Sequence, residues 1–114
     1  MTKQEFQKLT EDHVLLLDGA TGSNLMKAGM PRGVCTESWV LEHKDVIQSL
    51  QKAYIEAGSH IIYAPTFGGN RINLTMHGLE DQIEQINHTL AGYSKEIAPE
   101  GCLLYTSDAA DEAR

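Results

Sequence analysis

Two short apolar runs, each closed by turn residues and separated by a helical stretch, constrain this chain most. The first is Val14 to Gly22, VLLLDGATG; the second is His60 to Asn70, HIIYAPTFGGN. A run this short, apolar and sharply bounded predicts a buried parallel strand. Each run ends where α/β enzymes keep their chemistry, at the carboxyl edge of a sheet.

The pattern between and around them completes an α/β order. Thr2 to Leu9 predicts a short helix with Phe6 and Leu9 on one face, and the first strand follows at about His13 to Leu17. Gly22 to Ala28 reads as a brief helix stopped by Gly29 and Pro31. A polar loop and a short turn carrying Trp39 and Leu41 come next. The clearest helix covers Lys44 to Ala57, where Val46, Leu50, Ala53, Tyr54 and Ala57 form an apolar face and Gly58 a C-terminal cap. The second strand, Ile61 to Ala64, closes a βαβ unit whose strands should be parallel. A last helix, Glu80 to Ile97, repeats the logic through Ile83, Ile86, Leu90 and Ile97, with Leu79 packing back on Ile83. Both a doubly wound sheet and a (β/α)8 barrel begin this way. Asp-Gly-Ala-Thr-Gly is neither a G-x-G-x-x-G cradle nor a P-loop, which weakens a nucleotide reading.

Composition removes other classes. Sixteen acidic residues against nine basic ones give a net charge of −7, which argues against nucleic acid as a partner. No run approaches the ~20 apolar residues of a membrane span, and the polar amino terminus lacks a signal-peptide centre. Two distant cysteines, Cys35 and Cys102, suit a reducing cytoplasm rather than a disulfide framework. Cys35 has no second cysteine near it. The five histidines show no metal-binding spacing. His43 is expected to cap the following helix, Trp39 to anchor packing, His77-Gly78 to mark a turn, and Arg71 either to bind an anion or to be a helix-surface charge.

The segments DGATGSNL and GVCTESWVLEHKDVIQSLQKAYIEAGSHIIYAPTFGGNRINL together resemble the homocysteine S-methyltransferase family. The likeness is greatest to the homocysteine-binding amino-terminal module of cobalamin-dependent methionine synthases. It runs from about His13 to Ile97 and carries three signatures in order: Asp18 to Gly22, Glu56 to Ser59, and Thr66 to Arg71. Tyr63-Ala64-Pro65 departs from the family's usual approach to the last one.

The resemblance implies the amino-terminal part of a (β/α)8 TIM barrel, incomplete in this chain. It also implies methyl transfer to the thiol of homocysteine, giving methionine. Zinc bound by three cysteines makes the thiolate in that family. The donor is methylcobalamin, betaine or a methylsulfonium compound, and cobalamin would act through other domains. Carried onto this sequence, Asp18 would orient the substrate ammonium or brace the loop that does. The amides of Gly19, Ala20 and Thr21 would receive its carboxylate. Thr66 and Phe67 would line the pocket beside the thioether chain. Each has a plainer structural role: an Asp-Gly turn, a helix cap at Thr66, a core position for Phe67. A small non-catalytic α/β binding module is the alternative from another class.

These readings divide the chain into a helical extension (1–12), a barrel fragment (13–101) and a non-native tail (102–114). The tail, CLLYTSDAADEAR, does not fit a third strand and its loop. Cys102 to Asp111 matches, residue for residue, the translation of an end sequence used in transposon-based DNA library preparation. The reading frame is therefore expected to leave the gene between Ala98 and Cys102. Leu103-Leu104-Tyr105 is apolar enough to imitate a strand there. A complete barrel takes about 250 residues, so the chain is expected to be at best marginally folded and without methyltransferase activity.

Overall fold

The computed structural model describes residues 2–99 and 102–105. Helix α1, Lys3–Asp12, starts at a reciprocal cap: Thr2 Oγ1 accepts from Glu5 N, and the Glu5 carboxylate accepts from Thr2 N. It buries no residue, so the expected pairing of Phe6 with Leu9 covers no core. Helices α2 (Gly22–Lys27), α3 (Thr36–Glu42) and α4 (Lys44–Glu56) follow. Strand β1 is Ile61–Tyr63, then come α5 (Arg71–Met76), a 3-10 turn (Glu80–Gln82), α6 (Ile83–Ile97) and strand β2 (Leu103–Tyr105).

The first expected strand is largely absent. Over 13–17 only Leu17 makes a bridge, parallel and opposite Ile61. Leu16 O accepts from His60 N and Ile61 N, and Ile61 O accepts from Asp18 N. The Leu16 N–H turns instead to the ring nitrogen Nδ1 of His60, which ends the ladder after one bridge. Among the described residues nothing covers the outer side, so Val14 is 83% exposed and Leu16 and Leu17 about half. The buried-strand expectation fails here because a two-sided apolar strand needs two neighbours and a layer over each face.

The parallel direction holds. β1 pairs with β2 in parallel register, Ile61 with Leu103 through Tyr63 with Tyr105, and the Tyr63 and Tyr105 rings meet at 4.7 Å. Leu103–Tyr105 therefore occupies the third strand's place. Residues 106–114, the rest of the expected tail, lie outside the described residues.

The core lies among the helices rather than under the sheet. Leu25, Met30, Cys35, Val40, Ile47, Leu74, Ile86 and Leu90 form it, with Trp39, Leu41, Val46, Leu50, Leu79, Ile83 and Tyr93 packed around them. The expected turn at Trp39 is the helix α3, which wedges Val40 between α4 and α6. The face of α4 also differs from expectation. Ile47 and Gln51 are its buried residues, while Ala53 and Ala57 are exposed, because α4 packs chiefly on α6. Gly58 reverses the chain after α4 at a φ of +115°, a value that disfavours any side chain. His43 precedes α4 without capping it; its Nδ1 lies 2.7 Å from Trp39 O and its ring stacks on Trp39 at 3.7 Å.

A buried polar chain joins the helices to the sheet. Ser94 Oγ of α6 donates to Gln51 Oε1 at 2.9 Å, and Gln51 Nε2 donates to Tyr63 O at 3.0 Å. Leu90→Ala is expected to lower the urea unfolding midpoint by the equivalent of about 3 kcal/mol. Ser94→Ala should cost about 1–2 kcal/mol by stranding Gln51; a broad, non-cooperative transition in the parent chain would contradict both.

Candidate functional site

The bridge between Leu17 and Ile61 aligns two strand ends, so Asp18–Thr21 and Thr66–Phe67 leave the same edge of the sheet. Asp18 closes the first end. Its Oδ2 accepts from Tyr63 N at 3.1 Å, taking the place of a ladder partner. Partial burial pushes its carboxyl above the usual range, and the hydrogen bonds from the backbone of Tyr63 and of Asp18 itself oppose that. Ser59 Oγ adds a bond to Leu17 O at 3.2 Å.

The loop after Asp18 is held from behind by its carbonyl at Ala20. Tyr54 Oη donates to it at 2.7 Å and Asn24 Nδ2 at 2.8 Å. Tyr54 presses so closely that a Cβ on Gly19 would stand 3.1 Å from its hydroxyl. Gly19 and Ala20 are exposed and Thr21 is half-buried. Thr21 precedes α2 without capping it through its side chain.

The second loop is threaded by asparagines. Asn70 caps α5 by accepting from Asn73 N at 2.8 Å. Asn70 Nδ2 donates to Phe67 O, Asn73 Nδ2 to Gly68 O and Asn87 Nδ2 to Gly69 O. Three consecutive carbonyls thus turn toward the helices. Thr66 is buried, its N–H donating to Ala64 O at 2.7 Å and its carbonyl accepting from Gly69 N at 2.9 Å. The helix cap here is Asn70, not Thr66. Phe67 is 95% exposed, so it belongs to no core.

Glu37, on α3, was not foreseen. It is 4% exposed, and a Cβ on Gly68 would collide with its Oε1. Burial pushes its acid up, against the backbone hydrogen bonds of Glu37 and Gly68 and the charge of His77. Its sequence signal is an acid in the first turn of a segment that reads as a turn, and only the helix α3 makes it conspicuous. Gln51 and Ser94 leave a clearer trace, since each falls four residues after a core residue, Ile47 and Leu90.

An open groove also lies between α2 and α4, lined by Asn24, Leu25, Ala28, Asp45, Val46, Ser49 and Leu50. None of the six expected site residues lines it. Among the described residues no group of three His, Cys, Asp or Glu side chains is placed to hold a metal. Cys35 is packed in the helical core. Burial and the charge of Asp18 both push the Cys102 thiol up, opposite to what a metal thiolate requires. These residues do not fit the zinc that the resemblance implies.

Comparison with known proteins decides the family. The model of the homocysteine S-methyltransferase family matches residues 15–105. The chain belongs to the homocysteine S-methyltransferase family. The match continues past Ala98, where the sequence motifs end, and takes in β2. An S-methylmethionine–homocysteine S-methyltransferase of Pongo abelii is 27% identical over 99 residues, covering 86% of this chain and 26% of that protein. The methionine synthase of Mycobacterium tuberculosis is 29% identical over 93 residues, covering 76% of this chain and 8% of that protein. The chain therefore spans about a quarter or less of these relatives. In structure it is similar to the metallated form of the homocysteine methyltransferase MmuM from Escherichia coli. The TM-score is 0.71 at 18% identity, over 90% of this chain and 39% of that one. At that identity the likeness shows a shared fold.

Two outcomes follow for this member of the family. Tyr54→Phe removes one of two donors to Ala20 O and should cost about 1 kcal/mol in urea denaturation. Glu37, raised in the folded state, binds its proton more tightly there than when unfolded. Stability contributed by the neutral acid is therefore full below the unfolded value and falls as pH rises through the raised folded one. Denaturation midpoints across that acid range should decline in the parent and flatten in Glu37→Gln.

Proposed function

We propose that this chain forms the first part of a homocysteine-binding (β/α)8 barrel, within a zinc-dependent enzyme that methylates the homocysteine sulfur to give methionine. The observation that supports this most is the shared edge. Two strand ends carrying Asp-Gly-Ala-Thr-Gly and Thr-Phe-Gly-Gly-Asn are aligned by the Leu17–Ile61 bridge, within a family match covering both.

Here the residues of this chain bind and shape. The exposed Gly19–Ala20 turn offers backbone N–H groups to the amino acid's carboxylate, with its own carbonyl tied back by Tyr54 and Asn24. Asp18 acts as the brace of that turn through Tyr63 N, rather than as a free ammonium ligand. Phe67, standing in solvent, supplies an apolar wall to the substrate chain once further strands close over it. No step is assigned to zinc on these residues, and the 114-residue chain alone is proposed to be inactive. Methylcobalamin, betaine and a methylsulfonium compound are the donor classes to be compared; one relative names S-methylmethionine and the other names no donor.

We also propose that the tail from Cys102 is foreign to the domain, with Leu103–Tyr105 filling the third strand's place because it is apolar. Resequencing the source DNA across the codons for Ala98 to Cys102 should show the adaptor junction; continuous genomic sequence there would refute it.

The binding reading is tested by titrating homocysteine into the chain and following backbone amide resonances. Shifts confined to Asp18–Gly22 and Thr66–Asn70 are expected, with no methionine formed when zinc and each donor class are added. Homocysteine shifts elsewhere, or none, would favour the non-catalytic module, and methionine formation would overturn the proposed inactivity.

A further inference from the structure

The least explained group in the molecule is the carboxyl of Glu37. It is almost wholly buried, yet Oε2 has no hydrogen-bond partner among the described residues. A buried carboxylate oxygen left without a partner costs stability, so a retained one calls for a reason beyond packing. Its surroundings supply it. Oε1 stands where a Cβ of Gly68 would have to go, and Asn73 Nδ2, which binds Gly68 O at 2.7 Å, approaches the same point. On the far side, Gly69 is closed in by Asn87 in the same way.

Gly68 and Gly69 are therefore the only residue type that fits between α3, α5 and α6 at this turn. The side chains of Phe67 and Asn70 flank it, and Thr66 O accepts from Gly69 N across it. Whatever fixes Gly68 fixes the direction in which Thr66 and Phe67 leave the sheet.

We propose that Glu37 is a positioning residue of the homocysteine site. Its carboxyl is the peg against which the Gly68–Gly69 turn is seated, so it sets the presentation of Thr66 and Phe67 without touching substrate. The role rests on the homocysteine reading for its function but not for its geometry. The link also makes α3 a part of the site, although α3 lies outside both strand-end motifs.

One titratable neighbour bears on the carboxyl, His77 at the end of α5, and its charge favours the ionised acid. On the other packed elements, Asn73, Asn87 and the Gly68 backbone face the turn without charge.

The experiment follows Thr66–Asn70 amide resonances in the free chain, without homocysteine, across the acid pH range. In the parent, the Gly68 amide should shift with a single titration that survives in His77→Gln and disappears in Glu37→Gln. Glu37→Gln keeps the shape of the peg and should leave the loop resonances near their parent positions. Glu37→Ala should move them while the Ile47 and Leu90 resonances stay in place. If Glu37→Ala does not fold, Gly68→Ala tests the same seat from the other side and should displace the same five amides. Homocysteine affinity should then fall about tenfold in Glu37→Ala and little in Glu37→Gln. Unmoved loop resonances in Glu37→Ala, or a Gly68 titration that persists in Glu37→Gln, would overturn the proposal. Displaced loop resonances in a chain whose parent does not bind homocysteine would sustain the peg and refute the binding reading instead.

Discussion

The peptide groups of Tyr63 are the point on which this structure turns. Tyr63 N donates to the carboxylate of Asp18, and Tyr63 O accepts from Gln51. A strand end in a wide sheet has its backbone satisfied by other strands. Here side chains supply both bonds, one from the preceding loop and one from the helix that covers the sheet. Through Gln51 and Ser94 the bond reaches α6, and through Asp18 it reaches the first strand-end loop. A buried polar chain of this kind is worth keeping only when each member is satisfied, and these are.

The second loop follows a complementary rule. Its carbonyls at Phe67, Gly68 and Gly69 are taken by Asn70, Asn73 and Asn87, and small residues let the helices approach to make those bonds. The loop's shape is set from the helical side, by residues that never face the strand edge. Position on the sheet says where chemistry is done; the supporting amides say in what geometry.

Much of this was legible in the chain. The βαβ order, the parallel direction, the long helices and the two Asp-Gly and Thr-Phe edges all follow from apolar spacing and turn residues. The misses have separate causes. Val14 to Leu17 has the composition of a buried strand, but burial is supplied by neighbours, and among the described residues β1 is the strand it meets. The segment 36–42 carries two acids and a serine among its apolar residues and so reads as a turn; its helix is fixed by Val40 and Trp39 packing against the core. The face of α4 was misread because Gln51, an amide, occupies a buried position. The support of the candidate site in Glu37, Tyr54 and Asn87 depends on contacts between residues 18 to 34 positions apart, which no local spacing reveals.

The seat of the apolar core bears on how such a chain is made. Leu25, Val40, Ile47, Leu74, Ile86 and Leu90 find one another among helices, not across strands. Synthesis delivers a protein amino terminus first, so a strand made early stands with bare edges until its partners arrive. A helical cluster able to gather its own greasy side chains shelters them during that interval. Outside that cluster, large apolar side chains such as Val14, Phe67, Ile72 and Met76 stand exposed. The order in which surfaces become hidden is thus written into which layer owns the core.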